Sequence, residues 1–267
     1  MKWTPEAEKA VSRVPFFVKR RVRKRVEEEA ARSGSHEVRL EHVTACRERF
    51  LRNQEDEVRG FQIETCFGTG GCPNAAVADE GLADAIEKGL SALDIKSRLR
   101  AKIQGPLKMH HEFRVSISQC PNACSRPQIV DVGLIGARIP QVTEEACKEC
   151  MGCVEACREK AVSFREKSLF PVIDHDRCLS CGACISACPT GTITEKAAGY
   201  RILVGGKLGR HPRLGSKLPG IFSPEDVDRI VSACAGIFLA EGTGDERFGD
   251  LMERLGMDRL IAAVRRQ

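Results

Sequence analysis

The sequence predicts an α+β fold, and three observations support this prediction. Apolar residues between positions 82 and 93 recur at helical spacing, whereas those between 130 and 134 alternate as in a half-buried strand. Hydrophobic residues make up 42% of the 267 positions, which excludes global disorder and allows a substantial core. Twelve of the fourteen cysteines fall into closely spaced groups, which predicts a separate module built around metal. The net charge of +5 is only mildly basic.

The first 52 residues are predicted to form a small basic helical domain. Residues 13–25 contain seven Lys or Arg and no acidic residue, and apolar side chains recur there at helical spacing: Val14, Phe17, Val18, Val22 and Val26. A second helical stretch begins at Val38 and runs to Leu51. No aromatic interleaving or groove-reading motif accompanies the basic helix, so we expect it to bind a protein partner or a second copy rather than nucleic acid.

The remaining regular elements alternate between helices and strands. A helix over residues 82–93 precedes a strand at Phe113–Ser118, and further strands are expected near 130–134 and 201–204. Ser223-Pro224-Glu225-Asp226 has the residues of a helix start, with serine as the cap and proline at the first position. A final helix is predicted from about residue 245 to 265.

The cysteines are predicted to be reduced thiols. The initial MKWTPEAEKAVSR has no apolar stretch of the kind found in signal peptides, and the apolar run at 233–240 is too short to cross a membrane. These features favour a cytoplasmic location, where thiols stay reduced and serve as metal ligands more often than as disulfides. Cys46 and Cys234 stand alone, and we interpret them as small buried hydrophobic residues.

Eight cysteines form two identical runs with the spacing C-x2-C-x2-C-x3-C. This repeat is the pattern of bacterial ferredoxins with two [4Fe–4S] clusters, in which the fourth cysteine of each run binds the other cluster. The pattern predicts one cluster on Cys147, Cys150, Cys153 and Cys188, and a second on Cys178, Cys181, Cys184 and Cys157. Zinc is the weaker alternative because its sites use two pairs of ligands per ion.

Four further cysteines occur as two pairs, with C-x5-C at Cys66 and Cys72 and C-x3-C at Cys120 and Cys124. Folding must bring the pairs together, because 48 positions separate Cys72 from Cys120. Glycines 68, 70 and 71 suit a tight loop lying against a bulky ligand. Each pair is a weak motif alone, but beside a ferredoxin module the two pairs predict a third cluster.

These two pairs, with CPNAC and the following IVDVGLIGA, resemble the sirohaem–[4Fe–4S] domain of the nitrite and sulfite reductase family. The segment YRILVGGKLGRHPRLGSKLPG resembles the glycine-rich segment of the same family, and the ferredoxin run resembles the insert of dissimilatory and anaerobic sulfite reductase subunits. The resemblance implies a reductase-like domain over 58–142 and 198–267, interrupted by a ferredoxin domain over 143–197. Gln119 and Phe67 depart from the family, which usually has glycine and proline at these positions. Residues 1–52 resemble the small helical domain of a light-independent protochlorophyllide reductase subunit.

The resemblance implies specific roles for the cysteines. Cys66, Cys72, Cys120 and Cys124 would bind one [4Fe–4S] cluster, and the Cys124 thiolate would also bridge to the sirohaem iron. Sulfite or nitrite would bind the open face of that iron, with electrons delivered through the two ferredoxin-type clusters. The resembled reductases contain two such repeats, so we expect a homodimer or pairing with a related subunit.

An anionic substrate and a carboxylate-rich macrocycle both require nearby cations. The candidates for the substrate are Lys108, Arg114 and Lys207, and those for sirohaem are Arg98 and Arg210. For each of them, a solvated surface charge is the alternative interpretation.

The function predicted from the sequence is sirohaem-dependent reduction of sulfite or nitrite. An electron-donor protein, such as a ferredoxin or a reductase, would supply the electrons. The alternative is an electron-transfer iron–sulfur subunit without its own sirohaem chemistry. A redox sensor that binds DNA through the basic helix is a third and weaker hypothesis, which predicts steeply salt-dependent DNA binding.

Overall fold

The computed structural model describes residues 1–12, 14–77, 81–165 and 168–264. The strands are β1 (Lys2–Trp3), β2 (Glu37–Val38), β3 (Phe61–Thr65), β4 (Phe113–Ser118), β5 (Val132–Val142), β6 (Val162–Phe164), β7 (Pro171–Ile173), β8 (Ile193–Val204) and β9 (Ser216–Lys217). The helices are α1 (Pro5–Ser12), α2 (Phe16–Arg32), α3 (Leu40–Glu57), α4 (Leu82–Ala92), α5 (Ile95–Lys102), α6 (Gly152–Glu155), α7 (Ala183–Ala187), α8 (Pro224–Glu241), α9 (Phe248–Leu255) and α10 (Met257–Val264). This mixture of helices and sheet confirms the predicted α+β class.

The first compact unit comprises Met1–Arg59 and Ile103–His110. Helices α1, α2 and α3 surround a small core of Ala7, Val26, Ala30 and Val38, against which Trp3, Val22, Val43 and Cys46 pack. β1 and β2 pair in parallel beside them. The apolar face predicted for α2 is only partly correct, because Val26 is buried but Phe17 is 74% exposed.

The second compact unit contains Gly60–Lys102 and the chain from His111 onward. It is built on a five-stranded sheet with the order β3-β4-β5-β8-β9. The first three strands run parallel, whereas β8 and β9 pair antiparallel. The carboxyl ends of β3, β4 and β5 therefore lie at one edge of the sheet, and β8 ends at the opposite edge.

One face of this sheet is covered by α4 and α8, which pack on each other. Three aromatic rings, Phe113 of β4, Phe238 of α8 and Phe248 of α9, form a cluster with centroids 5.3–6.1 Å apart. Ser223 caps α8 as predicted, since its hydroxyl accepts a hydrogen bond from Asp226 N. Burial of this apolar face provides the main core of the unit.

The cysteine-rich insert leaves the sheet after β5 and returns to it at the start of β8. It contains α6, α7 and the β6–β7 hairpin around buried Cys153, Val162, Cys184 and Ile193. Its backbone also joins β5 directly, because Arg138 N donates a hydrogen bond of 2.7 Å to Ser180 O. A turn of the insert therefore pairs with β5 beyond the point where β4 ends.

The prediction of one long terminal helix from about residue 245 is wrong in one respect. The described residues form two helices, α9 and α10, separated by Gly256 with φ of 77°. This left-handed conformation suits glycine and ends α9, so the chain changes direction there. Among the described residues, no helix is both long and apolar enough to cross a membrane.

Candidate metal centres

Two of the paired cysteines lie where neighbouring parallel strands end. Cys66 directly follows β3 and Cys120 follows β4 by one residue, Gln119. Cys66 N donates to Ile117 O at 2.9 Å, which ties the two strand ends together. Burial raises the pKa of the Cys120 thiol, and nearby negative charge on Cys124, Cys66 and Cys72 raises it further. The fold therefore brings all four thiols close together in space despite their separation in sequence.

Gln119 occupies the space between the two cysteine loops. Its carbonyl accepts hydrogen bonds from Ala76 and Val77, and its side-chain Oε1 accepts one of 2.9 Å from the Tyr200 hydroxyl. A Cβ at Gly68 would overlap the Gln119 Cβ and Cγ. Gln119, which departs from the family pattern, is thus buried, and its side chain fills the space beside Gly68.

The insert brings its cysteines together in two sets. Cys147, Cys150, Cys153 and Cys188 line one pocket, together with Pro171 and Ile193 among others. In the other set, burial and the charges of Cys178, Cys181 and Cys157 raise the pKa of Cys184 to about 11. Each set therefore combines three cysteines of one run with the last cysteine of the other run.

The two cysteine runs share a local backbone geometry. Glu149 N donates to Cys147 Sγ at 3.3 Å, and Ser180 N donates to Cys178 Sγ at 3.4 Å. Glu149 and Ser180 both have φ of 55°, although neither is glycine. In both turns, a backbone N–H group therefore donates to the sulfur of the first cysteine of the run.

The last cysteine of the second run lies in the strongest donor environment. Burial pushes the pKa of Cys188 upward, but hydrogen bonds from Ile193 N and from Thr190 outweigh burial and lower it to about 7. Cys188 N itself donates to Ile185 O, which holds the end of α7 in place. A thiolate at Cys188 is thus stabilised before any metal binds.

The thiol sets suit a polynuclear cluster better than a single ion. Within the described ranges, no three Cys, His, Asp or Glu side chains converge as they do around one metal ion. None of the fourteen cysteines forms a disulfide. Three all-sulfur sets, two of which receive hydrogen bonds from turn N–H groups, fit the ligand chemistry of [4Fe–4S] clusters.

Two of the predicted cations, Arg114 and Lys207, lie at the end of the sheet opposite to Cys66 and Cys120. Arg114 lies at the start of β4, about 13 Å before Ser118 at the usual rise per residue, and its N donates to Asp131 Oδ2 at 2.8 Å. Lys207 follows the end of β8 at that same edge of the sheet, where it is buried and forms an ion pair with Asp250. The remaining candidates are Arg98 and Arg210, which are exposed, and Lys108, which lies in the first compact unit.

Sequence reasoning missed one buried and one half-buried charged residue. Asp131 is fully buried, burial raises its pKa to about 6, and its Oδ1 has no hydrogen-bond partner among the described residues. Arg201 in β8 has a buried Nε that also has no such partner. Both residues lie in predicted strands and within the quoted segments IVDVGLIGA and YRILVGGKLGRHPRLGSKLPG, where the alternation of apolar residues gives no signal for a buried charge.

The fold and the thiol sets are typical of an iron–sulfur protein. The chain belongs to the family described as the nitrite and sulphite reductase 4Fe-4S domain, whose model matches residues 57–267. Residues 3–47 match a second family, described as the proto-chlorophyllide reductase 57 kD subunit. Both resemblances expected from the sequence are therefore confirmed.

Similar proteins include sulfite reductases of different architectures. The chain is 34% identical over 196 residues to the coenzyme F420-dependent sulfite reductase of Methanocaldococcus jannaschii, covering 73% of this chain and 30% of that protein. It is 29% identical over 127 residues to a subunit of the anaerobic sulfite reductase of Salmonella typhimurium, covering 46% of this chain and 36% of that relative. The chain thus spans about a third of the length of these two relatives.

The crystal structure of dissimilatory sulfite reductase I matches this fold with a TM-score of 0.52. The alignment covers 81% of this chain and 57% of that chain, at 17% sequence identity. At this identity the likeness concerns the fold alone.

Proposed function

We propose that this chain is a sirohaem-dependent reductase subunit for sulfite or nitrite, with two ferredoxin-type clusters as its electron inlet. One observation carries the proposal: a single compact unit holds a four-thiol set at the ends of β3 and β4 and, joined to β5, two further thiol sets. Family membership supports the same assignment.

The cysteines of the first thiol set differ in exposure, as a ligand shared with a second cofactor requires. Cys120 is buried, whereas Cys124 is exposed. An exposed thiolate beside a cluster is accessible to a large macrocycle, which supports Cys124 as the bridge to sirohaem. When bound, sirohaem supplies the multi-electron chemistry, and the protein supplies orientation and electrostatics.

The positions of the cations support a site completed by a second chain. Arg114 and Lys207 lie at the amino ends of the parallel strands, whereas the thiols lie at their carboxyl ends. A second copy or a related subunit would present its own Arg114 edge there and so supply a further cation to an anion near Cys124. Lys108, Arg98 and Arg210 remain proposed contributors to the anion and sirohaem sites.

The second candidate function is that of an electron-transfer iron–sulfur subunit without its own sirohaem. One observation favours it, namely that Asp250 pairs with Lys207 and offsets one of the charges available to an anion. In this function the thiol sets receive electrons from a donor protein, such as a ferredoxin or reductase, and pass them to another subunit.

The two functions are distinguished by the pigment of anaerobically purified protein. We expect Soret and long-wavelength sirohaem bands together with about twelve cluster irons per chain, four for each cube. Cys124→Ser should lose the sirohaem bands and retain the ferredoxin-type clusters, whereas the control Cys46→Ser should retain both. Fully reconstituted wild-type protein without sirohaem bands would support the electron-transfer function instead.

A further inference from the structure

The second thiol set of the insert, Cys157, Cys178, Cys181 and Cys184, lies close to an unpaired cation of the sheet. We propose that Arg201, which is half-buried, is a counter-ion of the cluster on this set and raises its reduction potential. This inference rests on the proposed function, because it requires the clusters to be present.

The strand register places Arg201 across β5 from β4 and the Cys120 loop. Ser118 pairs with Ile135, and Ile135 pairs with Arg201, so the three side chains lie in one row on the same face of the sheet. Ser118 is two residues before Cys120, and two strand spacings of about 4.8 Å separate it from Arg201. The Ser118 hydroxyl contacts Ser125 at 2.7 Å, so the loop carrying Cys124 covers the same face.

The insert joins β5 on the same side as β4, beyond the last residue that pairs with β4. Arg138 N donates to Ser180 O at 2.7 Å, and Arg138 pairs with Cys181 as a parallel bridge, three residues beyond Ile135. Burial lowers the pKa of Arg201, and the charge of Cys178 raises it; no other charged group contributes appreciably. The Cys178 loop is therefore the charged neighbour of Arg201.

Arg201 has no compensating carboxylate in the described part of the chain. Its Nε is buried without a hydrogen-bond partner, and it takes part in no ion pair there. By contrast, Arg138 donates from Nε to Glu195 at 2.6 Å and from Nη1 to the Ser186 hydroxyl at 3.3 Å. Because a guanidinium stays protonated in proteins and is costly to bury alone, Arg201 needs an anion, and a four-thiolate cluster carries net negative charge.

The electrostatic consequence concerns the reduced state. Adding one electron to a [4Fe–4S]²⁺ core gives [4Fe–4S]⁺; no bond breaks, and the negative charge beside Arg201 increases by one. A fixed positive charge stabilises the reduced form more than the oxidised form, so it raises the midpoint potential. The cluster on the second thiol set then becomes the better electron acceptor of the insert.

The test is a potentiometric titration with dithionite, followed by EPR, on the full-length cluster-loaded protein. Iron and labile sulfide are measured first, and Cys181→Ser identifies the signal of the second cluster. In Arg201→Met, we expect the one-electron equilibrium constant for reducing that cluster to fall about tenfold, which is about 59 mV. The other signals should not move.

Two controls separate charge from structure. Arg201→Lys keeps the charge and should restore most of the potential, whereas Lys196→Met removes an exposed positive charge from the same strand and should leave it unchanged. Loss of the second cluster from Arg201→Met and Arg201→Gln, but not from Arg201→Lys, would also support a counter-ion.

Three results would overturn the inference. An unchanged midpoint in a cluster-loaded Arg201→Met variant would refute it while leaving the proposed function intact. Loss of the cluster from all Arg201 variants, including lysine, would assign the residue a packing role instead. Absence of the second cluster from wild-type protein would overturn both this inference and the proposed function.

Discussion

Gly68 is the residue at which the first cysteine loop tolerates least change. The Gln119 side chain fills the space beside it, and Tyr200 holds that side chain through a hydrogen bond. A methyl group at Gly68 would also come within 3.2 Å of Cys66 Sγ. The loop therefore depends on a glycine here for space rather than for an unusual backbone angle.

We predict that Gly68→Ala displaces Gln119 or Cys66 and lowers the iron content by about four atoms per chain, the content of one cube. Overpacking of this kind costs about 1–3 kcal/mol of stability. The matched control is Gly70→Ala, because a Cβ at Gly70 meets nothing within 4 Å. Adding Gln119→Gly to Gly68→Ala removes the obstructing atoms and should restore the iron; an iron-replete Gly68→Ala single variant would contradict the packing argument.

Asp131 makes the stability of the second unit dependent on pH. Its pKa rises from 3.8 to about 6 through burial, so the folded state binds more protons than the unfolded state between these values. Stability from the protonated form is present below pH 3.8 and is lost as pH rises through about 6. The whole shift represents about 3 kcal/mol.

We predict that Asp131→Asn removes this dependence, because the amide stays neutral and its oxygen still accepts the Arg114 N–H hydrogen bond. Between about pH 5 and 7.5, the wild type should lose about 1 kcal/mol of unfolding free energy relative to the variant. Anaerobic urea denaturation across this range measures the difference. The exposed control Asp176→Asn should track the wild type, and parallel pH profiles for Asp131→Asn and the wild type would show that Asp131 is ionised throughout.

At the scale of elements, the sequence predicted helix starts and strands correctly where interactions between neighbouring residues determine them. The Ser223 cap and the strand Phe113–Ser118 occur as predicted, because capping and side-chain alternation depend on neighbouring residues alone. The terminal helix was predicted as one element and is broken at Gly256, where two short amphipathic helices replace one long helix. Its helical periodicity was correct, but the left-handed turn was not recognised.

β5 is the element that links the insert to the rest of the unit. It pairs with β4 over its first residues, with β8 along its length, and with the Ser180–Gly182 turn at Arg138. Gly182 has φ of 78°, and a Cβ there would come within 2.9 Å of Arg138 Cδ. The insert is thus held by backbone pairing and close packing rather than by its two connections alone.

At the scale of the molecule, the thiols and the predicted cations Arg114 and Lys207 occupy opposite edges of one sheet. If two chains complete each other's sites, Cys124→Ser and Arg114→Ala should each be inactive as pure proteins. Mixed assemblies should recover activity, because one site in each then combines an intact Cys124 from one chain with an intact Arg114 from the other.

Co-expression with two affinity tags and tandem purification isolates the mixed assembly, and sulfite-dependent oxidation of a reduced dye measures its activity. The control is a mixed assembly of two Cys124→Ser chains, which should stay inactive. An inactive Cys124→Ser/Arg114→Ala assembly that contains its full complement of clusters would place both residues in the same site of one chain.

The sequence by itself determined the number and kind of the ferredoxin-type thiol sets, because their spacing lies within short loops that fold locally. It also predicted the α+β class and the family. Only the tertiary structure decided how Cys66 and Cys120 meet, since strand pairing joins residues more than fifty positions apart. Gln119 beside Gly68, the buried Asp131, and Arg201 beside the insert likewise depend on sheet register. That register follows from packing over the whole unit, and no local motif encodes it.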